Sequence, residues 1–485
     1  MQSSSRAKVS ISLALSIPVF ALALILYAAF WRTGVLAANA GSALSRSAPL
    51  AGTSGDWPTY LHDNGRSGFN GSESIINATS ATSLKLHWSI VAGAVISTQP
   101  VIANGVVYWG SWDGLEHATD LNGHPIWSAN LGKTTDNNPN CSPSSVGVAS
   151  TATVATVMIK GALTPVVFVG GGNAHFYALN AHSGAVIWQT VLGSSPSHFL
   201  WSSPLVYKGI ASLGDCPTVQ GQLVQMNVTT GVIQHRFNVE PAGCTGGAVW
   251  GSPTVDQAAG MIYIATGNTS KCSTAQHYAN ALVQLRASDL SLASFWQVPA
   301  IARKGDKDFG ATPTLFQATI GNVLHKLVGV VCKNGIYYAF DRAAISKGPV
   351  WQDQIAVSGN DPLAGEGSIS SSAWDGTTLY IAGGNTTING NSCQGSLRAI
   401  NPATGTFNWE ACLKDGPVLG AVTAVAGVAA VGEGPTLALI ATNSGQTLFT
   451  YTDTTTGSFF YGPPSISNGV LYIGNADGTL YAFGS

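Results

Sequence analysis

One unit recurs along this 485-residue chain: a strand, a turn built on Asp or Asn with Gly, and an aromatic residue a few positions later. Clear copies are Ala118-Thr-Asp-Leu-Asn-Gly-His-Pro-Ile-Trp127, Ala178-Leu-Asn-Ala-His-Ser-Gly-Ala-Val-Ile-Trp188 and Ala399-Ile-Asn-Pro-Ala-Thr-Gly-Thr-Phe-Asn-Trp409. Looser copies end at Phe237, Trp296, Trp351 and Tyr451. A period of roughly 40–60 residues made only of strands and turns specifies a β-propeller, one blade per copy. The Gly supplies the positive φ of a tight turn, and the aromatic covers the face of the next blade.

A further copy opens at Gly469-Val-Leu-Tyr-Ile-Gly-Asn-Ala-Asp-Gly and reaches Leu480-Tyr-Ala-Phe-Gly-Ser485 without an outer strand. Leu84-Lys-Leu-His-Trp88 reads as that missing strand. Sharing one blade between both ends of a chain removes two exposed sheet edges. Seven complete copies and one shared copy predict an all-β, eight-bladed β-propeller closed by N- and C-terminal strands and preceded by an N-terminal hydrophobic helix. Seven blades is the alternative, because the copy ending at Tyr451 is short.

Charged residues make up only 9% of the chain, against roughly 25% in an average soluble protein. The net charge of −2 gives no basic surface for nucleic acid. Ser, Thr, Asn and Gly carry the polarity, as suits an exported β-protein.

Arg6 and Lys8 precede an apolar run from Val9 to Trp31, long enough to span a bilayer. The positive charges hold that end in the cytoplasm and direct the remainder outside. Ala38-Asn-Ala40-Gly41 is an acceptable signal-peptidase site. Both an uncleaved anchor and a cleaved signal fit, and both place the propeller outside the cytoplasm. The expected domains are therefore residues 1–32 as anchor or signal, 33–56 as an Ala/Ser/Gly-rich tether, and 57–485 as the propeller. Contact with a membrane is expected only through the first segment.

Seven Cys in an exported chain predict disulfides with one thiol left over. Cys332, inside the apolar run Leu327-Val-Gly-Val-Val-Cys332, is the expected free thiol; Cys393 and Cys412 flank strands of one blade and are candidates to pair. Cys141, Cys216, Cys244 and Cys272 are left unordered. No Cys-x-x-Cys-His occurs, so no covalently attached c-type haem is expected.

Beyond the repeat, Trp57-Pro-Thr-Tyr-Leu-His-Asp-Asn-Gly-Arg-Ser-Gly68 and three internal stretches stand out. These are Gly246-Gly-Ala-Val-Trp-Gly-Ser-Pro-Thr-Val-Asp256 running into Ile262-Tyr-Ile-Ala-Thr-Gly-Asn268, then Gly305-Asp-Lys-Asp-Phe-Gly-Ala-Thr-Pro-Thr-Leu315, then Lys333-Asn-Gly-Ile-Tyr-Tyr-Ala-Phe-Asp341. In order and spacing they resemble the pyrroloquinoline quinone (PQQ) dependent quinoprotein alcohol dehydrogenases, most of all the polyvinyl-alcohol dehydrogenase branch. The resemblance covers about residues 57–485.

The resemblance implies a role for each residue, and the chemistry suits it. Trp250 would form the flat floor beneath the quinone, where a large indole offers stacking area at low entropic cost. Asn268 would give its carboxamide oxygen to Ca²⁺, a cation that takes oxygen ligands. Asp308 would accept the proton of a substrate alcohol and touch the metal; Asp306 is the fallback in the same loop. Lys333 would stabilise negative charge on the quinone oxygens. Asp215, in Ser212-Leu-Gly-Asp-Cys-Pro217, occupies the place of the family's acidic calcium ligand. The implied substrate is an alcohol or carbohydrate, and electrons would leave to a separate acceptor such as a cytochrome.

Two departures oppose this. Asn140-Cys-Ser-Pro-Ser-Ser-Val-Gly-Val-Ala-Ser150 holds one Cys and no Arg, where the methanol-oxidising branch carries two adjacent Cys and an Arg over the cofactor. Non-catalytic scaffold propellers resembling outer-membrane assembly lipoproteins share the blade repeat, so a binding scaffold is the second reading.

Overall fold

The structure, a computed structural model, describes residues 55–485 apart from 136–144, 194–197, 215, 218–219 and 273–277. It is a β-propeller of antiparallel sheets, each a meander whose strands run outward from a shared axis. The innermost strands are short and wholly buried, as in Val101–Ala103, Thr254–Asp256 and Ser465–Ser467. The outermost strands alternate between exposed and partly buried positions, as in Pro125–Asn130 and Ile233–Asn238. Continuous apolar runs inside and period-two alternation outside follow from burial on both faces near the axis and on one face at the rim.

The repeated Gly and Trp belong to one device. The Trp127 indole donates to Ala181 O of the next sheet at 2.9 Å, Trp188 to Val228 O at 2.9 Å, and Trp409 to Thr442 O at 2.8 Å. Each ring lies on the turn glycine of that sheet. A Cβ at Gly184, φ +69°, would come 2.6 Å from the Trp127 ring, and one at Gly445, φ +75°, 2.7 Å from that of Trp409. Only glycine combines the left-handed turn with this approach.

The expectation of an eight-bladed ring preceded by a helix requires correction. The four-stranded blade recurs seven times, not eight. The sheet built on residues 423–452 departs from it, because Phe69–Asn70 adds a fifth strand parallel to Thr423–Val425. That extra strand exists because the segment before it passes the inner edges of the sheets in turn and pairs with that of Thr423–Val425. Helical structure among the described residues is limited to four 3₁₀ turns of three or four residues. No described helix is long and apolar enough to cross a membrane, and the expected anchor, residues 1–32, lies outside the described residues. Lys85–Val91 pairs antiparallel with Thr479–Gly484, so strands from both ends share one sheet.

Residues 57–70 touch each sheet in turn. Trp57 exchanges two 2.9 Å backbone bonds with Ile102, and Pro58 O accepts from Val154 N. Asn64 reaches Val206 O through its side chain, while its own carbonyl accepts from Val255 N. Gly65, Ser67 and Gly68 carbonyls accept from Leu315, Trp374 and Ala424, and Asn70 Nδ2 donates to Ile466 O at 3.0 Å. At its centre Arg66 is 0% exposed. Its guanidinium donates to the carbonyls of Pro253, Tyr60 and Pro204 and to Thr59 Oγ1, and burial lowers its pKa to about 10.

Closer to the channel, hydroxyls stitch neighbouring sheets together. Gln99 N donates to Thr151 Oγ1, Thr151 N to Ser203 Oγ, Ser203 N to Ser252 Oγ, Ser252 N to Thr312 Oγ1 and Thr312 N to Ser371 Oγ, at 2.8–3.2 Å. The Ser and Thr that replace charge in the composition thus satisfy buried backbone donors around the axis.

Disulfides join Cys244 to Cys272 and Cys393 to Cys412, and Cys332 is a buried free thiol. Cys141 and the Cys216 side chain lie outside what is described.

Candidate active site

Two adjacent sheets, residues 254–297 and 314–354, build the site. Trp250 precedes the inner strand Thr254–Asp256, and Asp306 and Asp308 precede Thr314–Ile320. Asn268 follows the second strand Met261–Ala265, and Lys333 follows Val323–Val331. In an antiparallel meander the start of one strand and the end of the next lie at the same end, so the four segments converge at one end of the channel.

The side chains meet. Lys333 Nζ lies 2.9 Å from Asp306 Oδ2 and 2.8 Å from Asp308 Oδ1, and 4.9 Å from the Trp250 ring centroid. The Asp308 contact is a charge-assisted ion pair at hydrogen-bond distance. Asn268 donates its side-chain amide to Asp306 Oδ1 at 2.5 Å, and its backbone N–H to Asp308 Oδ2 at 3.3 Å. Lys333 N donates to Asp308 O at 3.0 Å, and the Cys332 thiol donates to Lys307 O at 3.1 Å. Of the expected residues, Trp250, Asn268, Asp308 and Lys333 are therefore brought together, with Asp306. Asp215 lies outside the described residues.

Burial sets the electrostatics. Asp308 is 6% exposed and Lys333 8%. Burial raises the Asp308 pKa, with the Lys333 charge opposing and Asp306 reinforcing the shift. Burial alone would lower the Lys333 pKa, but Asp308 and Asp306 outweigh it and raise it, so Lys333 stays a cation. Burial also pushes the Cys332 thiol up to about 12, which keeps it neutral and unreactive.

Trp250 packs closely against Gly310. A Cβ on Gly310 would come 2.3 Å from its ring, so glycine is required there by close approach. In front of it opens a cavity of about 100 Å³, lined among others by Trp201, Trp250, Tyr461, Ile369, Leu419 and Tyr60. Tyr60 comes from the axial segment. The sequence gives no sign of Tyr60, Trp201 or Tyr461 as lining residues, because only ring closure brings these distant blades together.

The donor set suits both expected groups. Two carboxylates and a carboxamide are the oxygen chemistry a hard divalent cation takes, and a half-buried indole beside a fixed ammonium suits a flat polyanion.

Comparison with known proteins places the chain. The family described as "Glucose/ethanol/alcohol dehydrogenase, beta-propeller domain" matches residues 234–352. A second PQQ-repeat family, described as "Outer membrane protein assembly factor BamB", matches residues 118–275 and 313–485. The chain belongs to the PQQ-repeat β-propellers. The quinohemoprotein alcohol dehydrogenase of Comamonas testosteroni is 27% identical to this propeller over 287 residues, 51% of this chain and 39% of that protein. A polyvinylalcohol dehydrogenase of Sphingopyxis is 27% identical over 237 residues, 37% of this chain and 34% of that protein. The matches thus span between a third and two fifths of these relatives. Among solved structures, the Comamonas enzyme superposes with a TM-score of 0.68 at 18% identity, covering 88% of this chain and 80% of that one. A europium-containing methanol dehydrogenase gives 0.70 at 14%, covering 89% and 98%, and BamB of Moraxella catarrhalis gives 0.54 at 16%, covering 83% and 98%. These structural likenesses speak to the fold.

Proposed function

We propose that this PQQ-repeat propeller is an exported, PQQ- and calcium-dependent dehydrogenase that oxidises an alcohol, polymeric or sugar alcohols included, and passes the electrons to a separate acceptor. One observation carries the reading. The match to the dehydrogenase propellers, residues 234–352, contains Trp250, Asn268, Asp306, Asp308 and Lys333, the residues that meet at the channel. The match to the assembly-factor family omits residues 276–312, and with them both acids.

Trp250 would hold PQQ by its face and Lys333 by its charge; Asp308, Asn268 and Asp215 are the proposed calcium ligands. When bound, PQQ supplies a two-electron acceptor. Asp308 takes the proton from the substrate hydroxyl, since it is buried, sits against a cation and has a carboxyl pKa drawn toward the working pH. Lys333 offsets the charge of that carboxylate before transfer and keeps its own positive charge once Asp308 is a neutral acid.

The test is incubation of the full chain with PQQ and Ca²⁺, followed by dye-linked alcohol oxidation. Quinone absorbance retained on the protein together with turnover supports the reading. Absence of retained quinone would leave a scaffold, the reading favoured by the breadth of the assembly-factor match.

A further inference from the structure

Asn280 stands outside every motif, yet it joins the two segments that carry the site's polar groups. Its Nδ2 donates to Asn268 Oδ1 at 2.7 Å and to Lys307 O at 3.3 Å. The residue is 6% exposed, and its backbone is fixed on both sides: its N–H donates to Gly267 O at 2.9 Å, and its carbonyl accepts from Val298 N at 3.0 Å. Its φ of +49° is left-handed, a conformation that Asn and Gly accept more readily than other residues.

An amide nitrogen only donates, so Asn280 requires that the atom of Asn268 facing it be the oxygen. That turns the Asn268 amide nitrogen toward Asp306 Oδ1. A directed series results, from Asn280 to Asn268 to Asp306, with Lys333 donating to Asp306 from the other side. Asp306 thereby receives the side-chain amide as well as the ammonium, while Asp308 shares the ammonium and takes only a long 3.3 Å backbone bond from Asn268.

We infer that Asn280 is a positioning residue: it fixes which way the Asn268 carboxamide faces, so that Asp306 is held as a structural acceptor and Asp308 is left as the reactive acid. The consequence for turnover rests on the dehydrogenase reading; the amide orientation does not.

Two variants separate this from backbone support. Asn280→Asp keeps shape and tolerates left-handed φ but replaces the donor by an acceptor. Asn280→Gly keeps the backbone and removes the amide. The ligand-free readout is the side-chain amide signal of Asn268 in ¹⁵N-asparagine-labelled protein, assigned through Asn268→Asp. In the wild type its proton on Asp306 resonates downfield; in Asn280→Asp that signal moves upfield as the amide turns over. In steady-state oxidation both variants lose about tenfold to a hundredfold in kcat, the scale of a small misplacement near the chemistry, with KM little changed; Asn280→Asp, which buries a carboxylate against the Lys307 carbonyl, also melts lower, so Asn280→Gly carries the kinetic comparison. An unmoved Asn268 signal in Asn280→Asp, or full turnover in both variants, overturns the inference. A wild-type chain with no turnover ends the dehydrogenase reading instead, and the amide signal then decides this one alone.

Discussion

Asp306 and Asp308 share one ammonium, yet their surroundings divide their roles. Asp308→Asn is expected to stay folded and retain PQQ, because the amide keeps the shape, but to lose roughly two to four orders of magnitude in turnover, the worth of a positioned base. Asp306→Asn should lose far less; equal rates, or a greater loss at Asp306, would reverse the assignment. Trp250→Ala should weaken PQQ binding by about 1–3 kcal/mol, the range for one lost aromatic stacking face, measured by calorimetric titration. The principal site residues were legible because each ends or begins a strand in a recognisable run. Asn280 was not, since a lone Asn after Tyr278-Ala carries no pattern until the fold brings Lys307 beside it.

The strand ends that hold these residues need restraint of their own. Cys244 and Cys272 close a loop containing both Trp250 and Asn268, beside the short pairing of Thr245–Gly246 with Thr269–Lys271. Cys393–Cys412 lies in another sheet. A Cys244→Ser/Cys272→Ser chain should therefore lose PQQ affinity, whereas Cys393→Ser/Cys412→Ser should lose melting temperature and keep affinity; titration and thermal melts of both decide it. Sequence alone could suggest Cys393 with Cys412, which flank one blade's strands, but not Cys244 with Cys272, which are juxtaposed by a pairing of two short strands with two strands of the blade between them. Glu433 adds a pH dependence at this scale. Burial raises its pKa to about 7 from an ordinary 4.5, against backbone bonds from Lys414 and Asp415. A raised folded pKa means the native state keeps the proton longer, so its contribution is intact below about pH 4.5 and is lost as pH rises to 7. Glu433→Gln should flatten that fall and gain at most about 3 kcal/mol at pH 8, read from denaturant melts at a series of pH values.

For the whole molecule, repeat counting correctly led to a propeller and to the shared sheet of Lys85–Val91 with Thr479–Gly484. It missed the fifth strand, because Phe69–Asn70 is only two residues long and belongs to no repeat. It also missed what residues 57–70 do. Arg66 serves two carbonyls from neighbouring parts of the ring, Pro204 and Pro253, and that of Tyr60 in its own segment. Arg66→Met should cost about 3–5 kcal/mol, the scale for removing one partner from a buried charged network, and Arg66→Lys should recover only part, since an ammonium lacks the planar fork. A melting temperature unchanged in Arg66→Met would remove the axial segment from the ring's stability. The same segment has a consequence in time. Asn70 waits for Ile466, 396 residues later, so the segment of residues 57–70 cannot complete its contacts until the last sheet has emerged. Blade-by-blade maturation during synthesis is thus incomplete by construction. The nascent chain spends that interval with open sheet edges until the ring can shut.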